Sequence, residues 1–132
     1  MPILTVKVSA TRTPALSQQI TSTLLDLTTR VLKKNRQLTA VVIDYVDPQD
    51  WFVGGKSLAE LGKRSFYFDV KVVDETNTKA EKLQYIAETF EAMAGLLGDL
   101  HEESYIYVQD VRAAAYGFGG KTQEFRFQHP QQ

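Results

Sequence analysis

Pro2 stands before an alternating run, Ile3-Leu4-Thr5-Val6-Lys7-Val8, so removal of Met1 would leave a secondary amine at the head of a β-strand. Such an amine is a candidate general base. Proline lacks a backbone donor and has a fixed φ, so it is tolerated as the first residue of a strand, and anchoring the chain gives its nitrogen a defined direction. Burial and neighbouring cations disfavour the charged form of an amine and bring its pKa toward the working pH, as in a tuned lysine. The plain alternative is that Met-Pro merely begins a chain. Other chemistry finds little footing. There is no cysteine, which rules out disulfides and thiolate metal sites. His101 and His129 are too far apart for a local metal motif, and Asp44, Asp69 and Asp110 fall on strands, where they read as exposed or interface positions. Asp74 and Glu75, in a loop before a helix, suit a dipole role at its first turn.

The bulk composition narrows the partners. Fifteen basic against sixteen acidic residues give a formal charge of -1, which removes the electrostatic case for nucleic acid or an anionic membrane surface. At 132 residues, 43% hydrophobic and 11% aromatic, the chain has the size and composition of one domain with its own core. No apolar run is long enough to span a bilayer and the first residues contain no signal-like apolar stretch, so the expectation is a soluble cytoplasmic protein.

The elements that must hold Pro2 are written twice. Val6-Lys7-Val8 recurs as Val70-Lys71-Val72, a shift of 64, and Gly54-Gly55-Lys56-Ser57 recurs as Gly119-Gly120-Lys121-Thr122, a shift of 65. A single domain of two repeats follows, about 1-64 and 65-132. In the first, the strand leads to Thr13-Pro14, an N-cap with Pro at the first helical position, and then to Leu16, Ile20, Leu24, Leu27 and Val31 at helical spacing. A strand over 39–46 follows and ends at Asp47-Pro48. In the second, a strand over 66–73 precedes the capping box Thr78-Lys79-Ala80-Glu81 and a helix with the apolar stripe Leu83, Ile86, Ala87, Phe90, Ala94 and Leu97. Gly98 ends that helix and 105–111 supplies the last long strand.

Two β-α-β units predict an α+β (α/β) fold, a four-stranded mixed sheet with both helices on one face. The strands carry apolar residues on both sides, Leu4, Val6 and Val8 against Ile3, and Tyr67 and Val73 against Phe66, Phe68, Val70 and Val72. Two helices cover only one side, so another subunit is expected over the other. The segment 50–64 is expected to form a hairpin or edge ribbon reaching a neighbour, with Trp51 and its counterpart Tyr116 as interface or pocket-wall residues, or else as core.

Pro2 before a β-α-β unit that ends in an aromatic residue and a Gly-Gly turn resembles the tautomerase superfamily. The first half, through Arg12, Leu38-Thr39-Ala40-Val41 and Trp51-Phe52-Val53-Gly54-Gly55, is similar to one subunit of the 4-oxalocrotonate tautomerases. The whole is similar to two-unit members such as the macrophage migration inhibitory factor type. The resemblance implies a homotrimer with pockets between subunits, Met1 removed, Pro2 catalytic, and no cofactor. It also implies substrate-binding roles. Arg12, ten positions after Pro2, falls where the 4-oxalocrotonate tautomerases grip a carboxylate, while their second arginine falls on Val42. Against the migration-inhibitory-factor type, the pocket lysine falls on Lys34, the tyrosine beside the proline on Tyr105, and a pocket asparagine on Tyr107; Arg64 lies in a stretch that lines the pocket. Each of Arg12, Lys34 and Arg64 also reads as a solvated surface charge. The dehalogenase and decarboxylase members fit less well, since Val73-Asp74-Glu75-Thr76-Asn77 replaces their arginines and Ala113-Ala114-Ala115 stands near their water-activating acid.

The expected reaction is enol-keto or double-bond proton transfer on a small anionic carbonyl compound. Two rival readings are a tautomerase fold that only binds, and a ferredoxin-like interaction domain with the same β-α-β-β-α-β order. The neutral charge, the repeat and the lack of an RNA-binding aromatic-glycine motif count against the second.

Overall fold

The computed structural model describes residues 2–129. The expected removal of Met1 lies outside the described residues. Strand β1 (Ile3–Val8) leads into helix α1 (Pro14–Arg30), a 3₁₀ turn (Arg36–Leu38) and β2 (Ala40–Tyr45). A second 3₁₀ turn (Pro48–Asp50), the hairpin β3 (Phe52–Val53) and β4 (Lys56–Ser57), and the one-turn helix α2 (Leu58–Leu61) complete the first unit. The order then repeats: β5 (Phe66–Val73), α3 (Lys79–Leu97), β6 (Tyr105–Val111), the hairpin β7 (Gly117–Phe118) and β8 (Lys121–Thr122), and α4 (Gln123–Gln128). Sequence patterning did not anticipate α2 and α4, which are too short to show a period. Each is capped by the hydroxyl that ends its hairpin: Ser57 accepts from the Glu60 amide and Thr122 from the Phe125 amide.

The four long strands form one mixed sheet in the order β2-β1-β5-β6. β1 runs parallel to β2 and β5 parallel to β6, while β1 and β5 meet antiparallel with Leu4 opposite Val70 and Val8 opposite Phe66. Each crossover therefore joins strands that are direct neighbours. A ferredoxin-like sheet splits its β-α-β pairs with an inserted strand, so that alternative is set aside. Ile3 pairs with Ala40 as Tyr67 pairs with Tyr105, which carries the 64- and 65-residue shifts into the register itself. Both hairpins turn on Gly-Gly, with φ of 59° and 82° at Gly54 and Gly55 and of 62° and 78° at Gly119 and Gly120. Two consecutive positive φ values match the right-handed twist of the strands and are affordable at glycine.

Both long helices lie on one face. Leu4, Val6, Val8, Phe66, Phe68, Val70 and Val72 alternate down onto Ile20, Leu24, Leu27, Tyr85, Met93 and Leu97. Thr13 caps α1 and the capping box of Thr78 and Glu81 opens α3, as the sequence predicts. The phase of α3 differs from expectation. Leu83, Ile86 and Ala87 are exposed, Leu83 at 71%, and the buried positions are Tyr85, Thr89, Met93 and Leu97. The reason is a polar tie between the helices: the Tyr85 hydroxyl lies 2.8 Å from Thr28 Oγ1, which itself donates to the Leu24 carbonyl. Satisfying the phenol lets α3 bury a tyrosine and point an aliphatic pair outward. The opposite face of the sheet is uncovered in the single chain, with Ile3, Val42, Tyr105 and Tyr107 between 44% and 50% exposed. Among the described residues no helix is long and apolar enough to cross a membrane.

Candidate active site

Pro2 is buried, on the same side of the sheet as Leu4, Val6 and Val8, and its carbonyl accepts a 3.2 Å hydrogen bond from the Ala40 amide. The anchored start of β1 thus lies beside the start of β2. Because β5 is antiparallel to β1, the same end of the sheet holds the last residues of β5 and β6. Helix α1 crosses back toward this end, and the loop that follows brings Lys34 to it. Lys34 Nζ donates to Thr76 Oγ1 at 3.0 Å, and Thr76 is folded onto the Val73 carbonyl at the end of β5. Burial pushes the Lys34 ammonium below its ordinary pKa, and the nearby Glu81 and Asp110 carboxylates partly offset that. Asp110 is held by Lys82 of α3 at 2.5 Å. A half-buried cation consequently shares both the end and the side of the sheet with Pro2.

The other residues singled out from the sequence lie elsewhere in the chain. Arg12 follows the far end of β1, which at six residues is about 20 Å long. It is exposed and makes no ion pair among the described residues. Arg64 is exposed at that same far end, its amide donating to Asp99 and its carbonyl accepting from His101. Trp51 lines a cavity with Lys7, Val46 and Tyr67, again at the far end. Tyr105 is at the start of β6, opposite Tyr67, and Tyr107 is mid-sheet opposite Asp69. These two rings stack at 6.4 Å on the open face, and Tyr107 packs on Tyr67 at 5.7 Å. Tyr105 donates to Glu103, and that hydrogen bond raises the phenol above its usual pKa. The single chain therefore places Lys34 at the Pro2 end of the sheet and Arg12, Arg64, Trp51 and Tyr105 at the opposite end, with Tyr107 mid-sheet.

Tyr116, expected from the sequence as an interface or pocket-wall residue, lies at the Pro2 end of the sheet. The 65-residue shift makes it the counterpart of Trp51, and it follows β6 where that strand leaves the sheet at the Pro2 end. Its hydroxyl is buried without a hydrogen-bond partner among the described residues, and burial raises its pKa. The repeat shifts map the cavity of Lys7, Val46, Trp51 and Tyr67 onto Lys71, Val111, Tyr116 and Ile3, next to Pro2.

Comparison with known proteins agrees with this architecture. Residues 2–61 match the family model described as tautomerase enzyme. A fused 4-OT designated F6, solved as an asymmetric trimer, superposes with a TM-score of 0.80 at 15% identity, covering 93% of this chain and 97% of that one. Pt0534, solved after inactivation by 2-oxo-3-pentynoate, gives 0.80 at 14% identity over 93% and 98%. A macrophage migration inhibitory factor-like protein of Entamoeba histolytica gives 0.75 at 16% identity over 92% and 97%. No curated protein sequence matches the chain. The first unit thus matches the tautomerase family in sequence, and the whole chain shares the fold of the fused 4-OT and migration-inhibitory-factor-like structures.

Proposed function

We propose that the protein is a cofactor-independent tautomerase-type isomerase in which Pro2, freed of Met1, is the general base. The observation that carries this reading is a buried proline opening β1 inside the segment matched by the tautomerase family, with a half-buried lysine at the same end of the sheet. The Pro2 nitrogen takes a proton alpha to a carbonyl and returns it at another atom of the same small anionic compound. An α-amino group has a pKa of about 8, so about a tenth is neutral near pH 7, and lowering it by about one unit raises that share to about half. A secondary prolyl amine starts higher and needs a larger shift, which the Lys34 charge and burial act to supply. Lys34 also binds the substrate anion, and the Tyr116 hydroxyl is a donor for the developing enolate oxygen.

The acting unit in this reading is a homotrimer, in keeping with the trimers formed by the fused 4-OT neighbours. It takes residues 1-132 as one domain of two repeats, and it covers the open sheet face. Tyr105, Tyr107 and Arg64 then serve the Pro2 of an adjacent protomer, whereas Arg12 and Trp51 stay at the end of the sheet remote from their own Pro2.

The test uses the intact chain. Mass spectrometry should find Met1 absent, and 2-oxo-3-pentynoate should add covalently at the Pro2 nitrogen, the amine forming a bond to the alkyne while that carbon pair gains a proton. Ketonisation of phenylenolpyruvate or 2-hydroxymuconate should accompany it. Retained Met1, or an adduct on any other residue with no turnover, overturns the assignment.

A further inference from the structure

The far end of the sheet carries an unassigned cavity. Lys7, Val46, Trp51 and Tyr67 line a space of about 410 Å³, within the range of small-ligand pockets. We propose that this cavity is a second, non-catalytic binding site for a small aromatic carboxylate, with Trp51 and Tyr67 as its walls and Lys7 as its cation.

Three observations carry it. The position equivalent to Pro2 under the repeat is Phe66, which is fully buried in the core and lies mid-chain, so its nitrogen is an amide and cannot serve as the base that Pro2 offers. Lys7 is also left available by a difference between the units. Its counterpart Lys71 is neutralised by Asp69 at 2.7 Å, and Asp69 is held in turn by Gln109 at 2.8 Å. The residue equivalent to Asp69 is Thr5, and Lys7 makes no ion pair among the described residues even though Asp44 lies opposite it in register. Arg12, which makes no ion pair among the described residues, follows β1 at the same end. Finally, Trp51, Tyr67 and Val46 offer flat, largely apolar surface that suits an aromatic ring and gives little to a small hydrophilic anion.

The proposal goes beyond the isomerase reading and is read out separately. Trp51 is the only tryptophan, so a single indole N–H resonance in a nitrogen-15 spectrum reports on this cavity alone. Titration of the full chain with phenylacetate should shift that resonance saturably. Lys7→Gln should weaken binding about fivefold, the upper range for one partly exposed charge pair. Thr5→Asp, which rebuilds the Asp69–Lys71 pair around Lys7, should do the same, and Lys7→Arg should restore affinity. Pro2→Ala should leave it unchanged. The absence of a saturable shift overturns the proposal, as does affinity undiminished from the unmodified chain in Lys7→Gln or Thr5→Asp, or loss of the shift in Pro2→Ala. Binding of phenylacetate by a chain without turnover supports this site while counting against the Pro2 base.

Discussion

Lys7 and Lys71 occupy one position in two copies of the same unit, and the fold gives them opposite surroundings. Lys71, at the end that holds Pro2, is tied to Asp69, whereas Lys7 lines a cavity with Trp51 and makes no ion pair among the described residues. The same division runs through the strands that bear them. Pro2 directly precedes β1, where removal of Met1 would free its nitrogen as an amine, and Phe66 begins β5 as a core aromatic packed 6.3 Å from Phe90. The repeat therefore preserves the backbone while the side chains diverge: Pro2 with Asp69–Lys71 at one end, a core Phe66 with Lys7 and Trp51 at the other.

The division can be broken from either side. Pro2→Ala should lower kcat by about 10²- to 10⁴-fold, the usual worth of a positioned general base, with little change in the urea midpoint. Phe66→Ala should do the reverse in character, costing about 3–5 kcal/mol of stability in urea denaturation, because it empties a fully buried aromatic site. Equal catalytic loss from a Phe66 variant that remains folded would erase the contrast. A smaller difference lies in the helix starts. Thr78→Ala removes a reciprocal capping box and Thr13→Ala a single cap, so thermal or urea unfolding should show a cost of about 1 kcal/mol for each, with Thr78→Ala the larger.

Alkaline pH sharpens the comparison with opposed signs. Burial holds the Tyr85 phenol protonated above its ordinary range, so the folded chain keeps a proton that the unfolded chain loses, and stability falls as pH rises through about 10. Lys34 works the other way. Its folded pKa is lowered, so the unfolded chain binds more protons just below about 10.4 and stability rises with pH there. Urea midpoints between pH 8 and 11 should lose the downward slope in Tyr85→Phe and the upward one in Lys34→Gln, the latter being the smallest effect of the set.

Much of the fold was readable before any coordinates. Period-two alternation, Thr13-Pro14 and the Thr78 capping box gave the long strands and both long helices, because these signals are local. The face of α3 was not readable, since Leu83-Ile86-Phe90 and Tyr85-Thr89-Met93 both follow a helical spacing, and the choice turns on a hydroxyl of Thr28 that lies 57 residues from Tyr85. Pro2 was readable as a candidate, because a proline before a strand can be noticed without any partner, and the structure places it buried beside the start of β2. The grouping of Arg12 and Trp51 was not, because distance along the chain is silent about which end of an antiparallel seam a loop reaches. Internal repetition held that information, since it maps Lys7, Trp51 and Tyr67 at one end of the sheet onto Lys71, Tyr116 and Ile3 at the other.

The β1–β5 seam is crossed by only one covalent link, the short stretch from Gly62 to Ser65, where Ser9 and Ser65 exchange hydrogen bonds. A chain cleaved at Gly62 would yield two fragments, each with its own crossover and ribbon, whose exposed seam edges are self-complementary in register. Co-expressed as separate polypeptides, they should reassemble by fragment complementation, and the second fragment would then present a new amino terminus three residues ahead of Phe66.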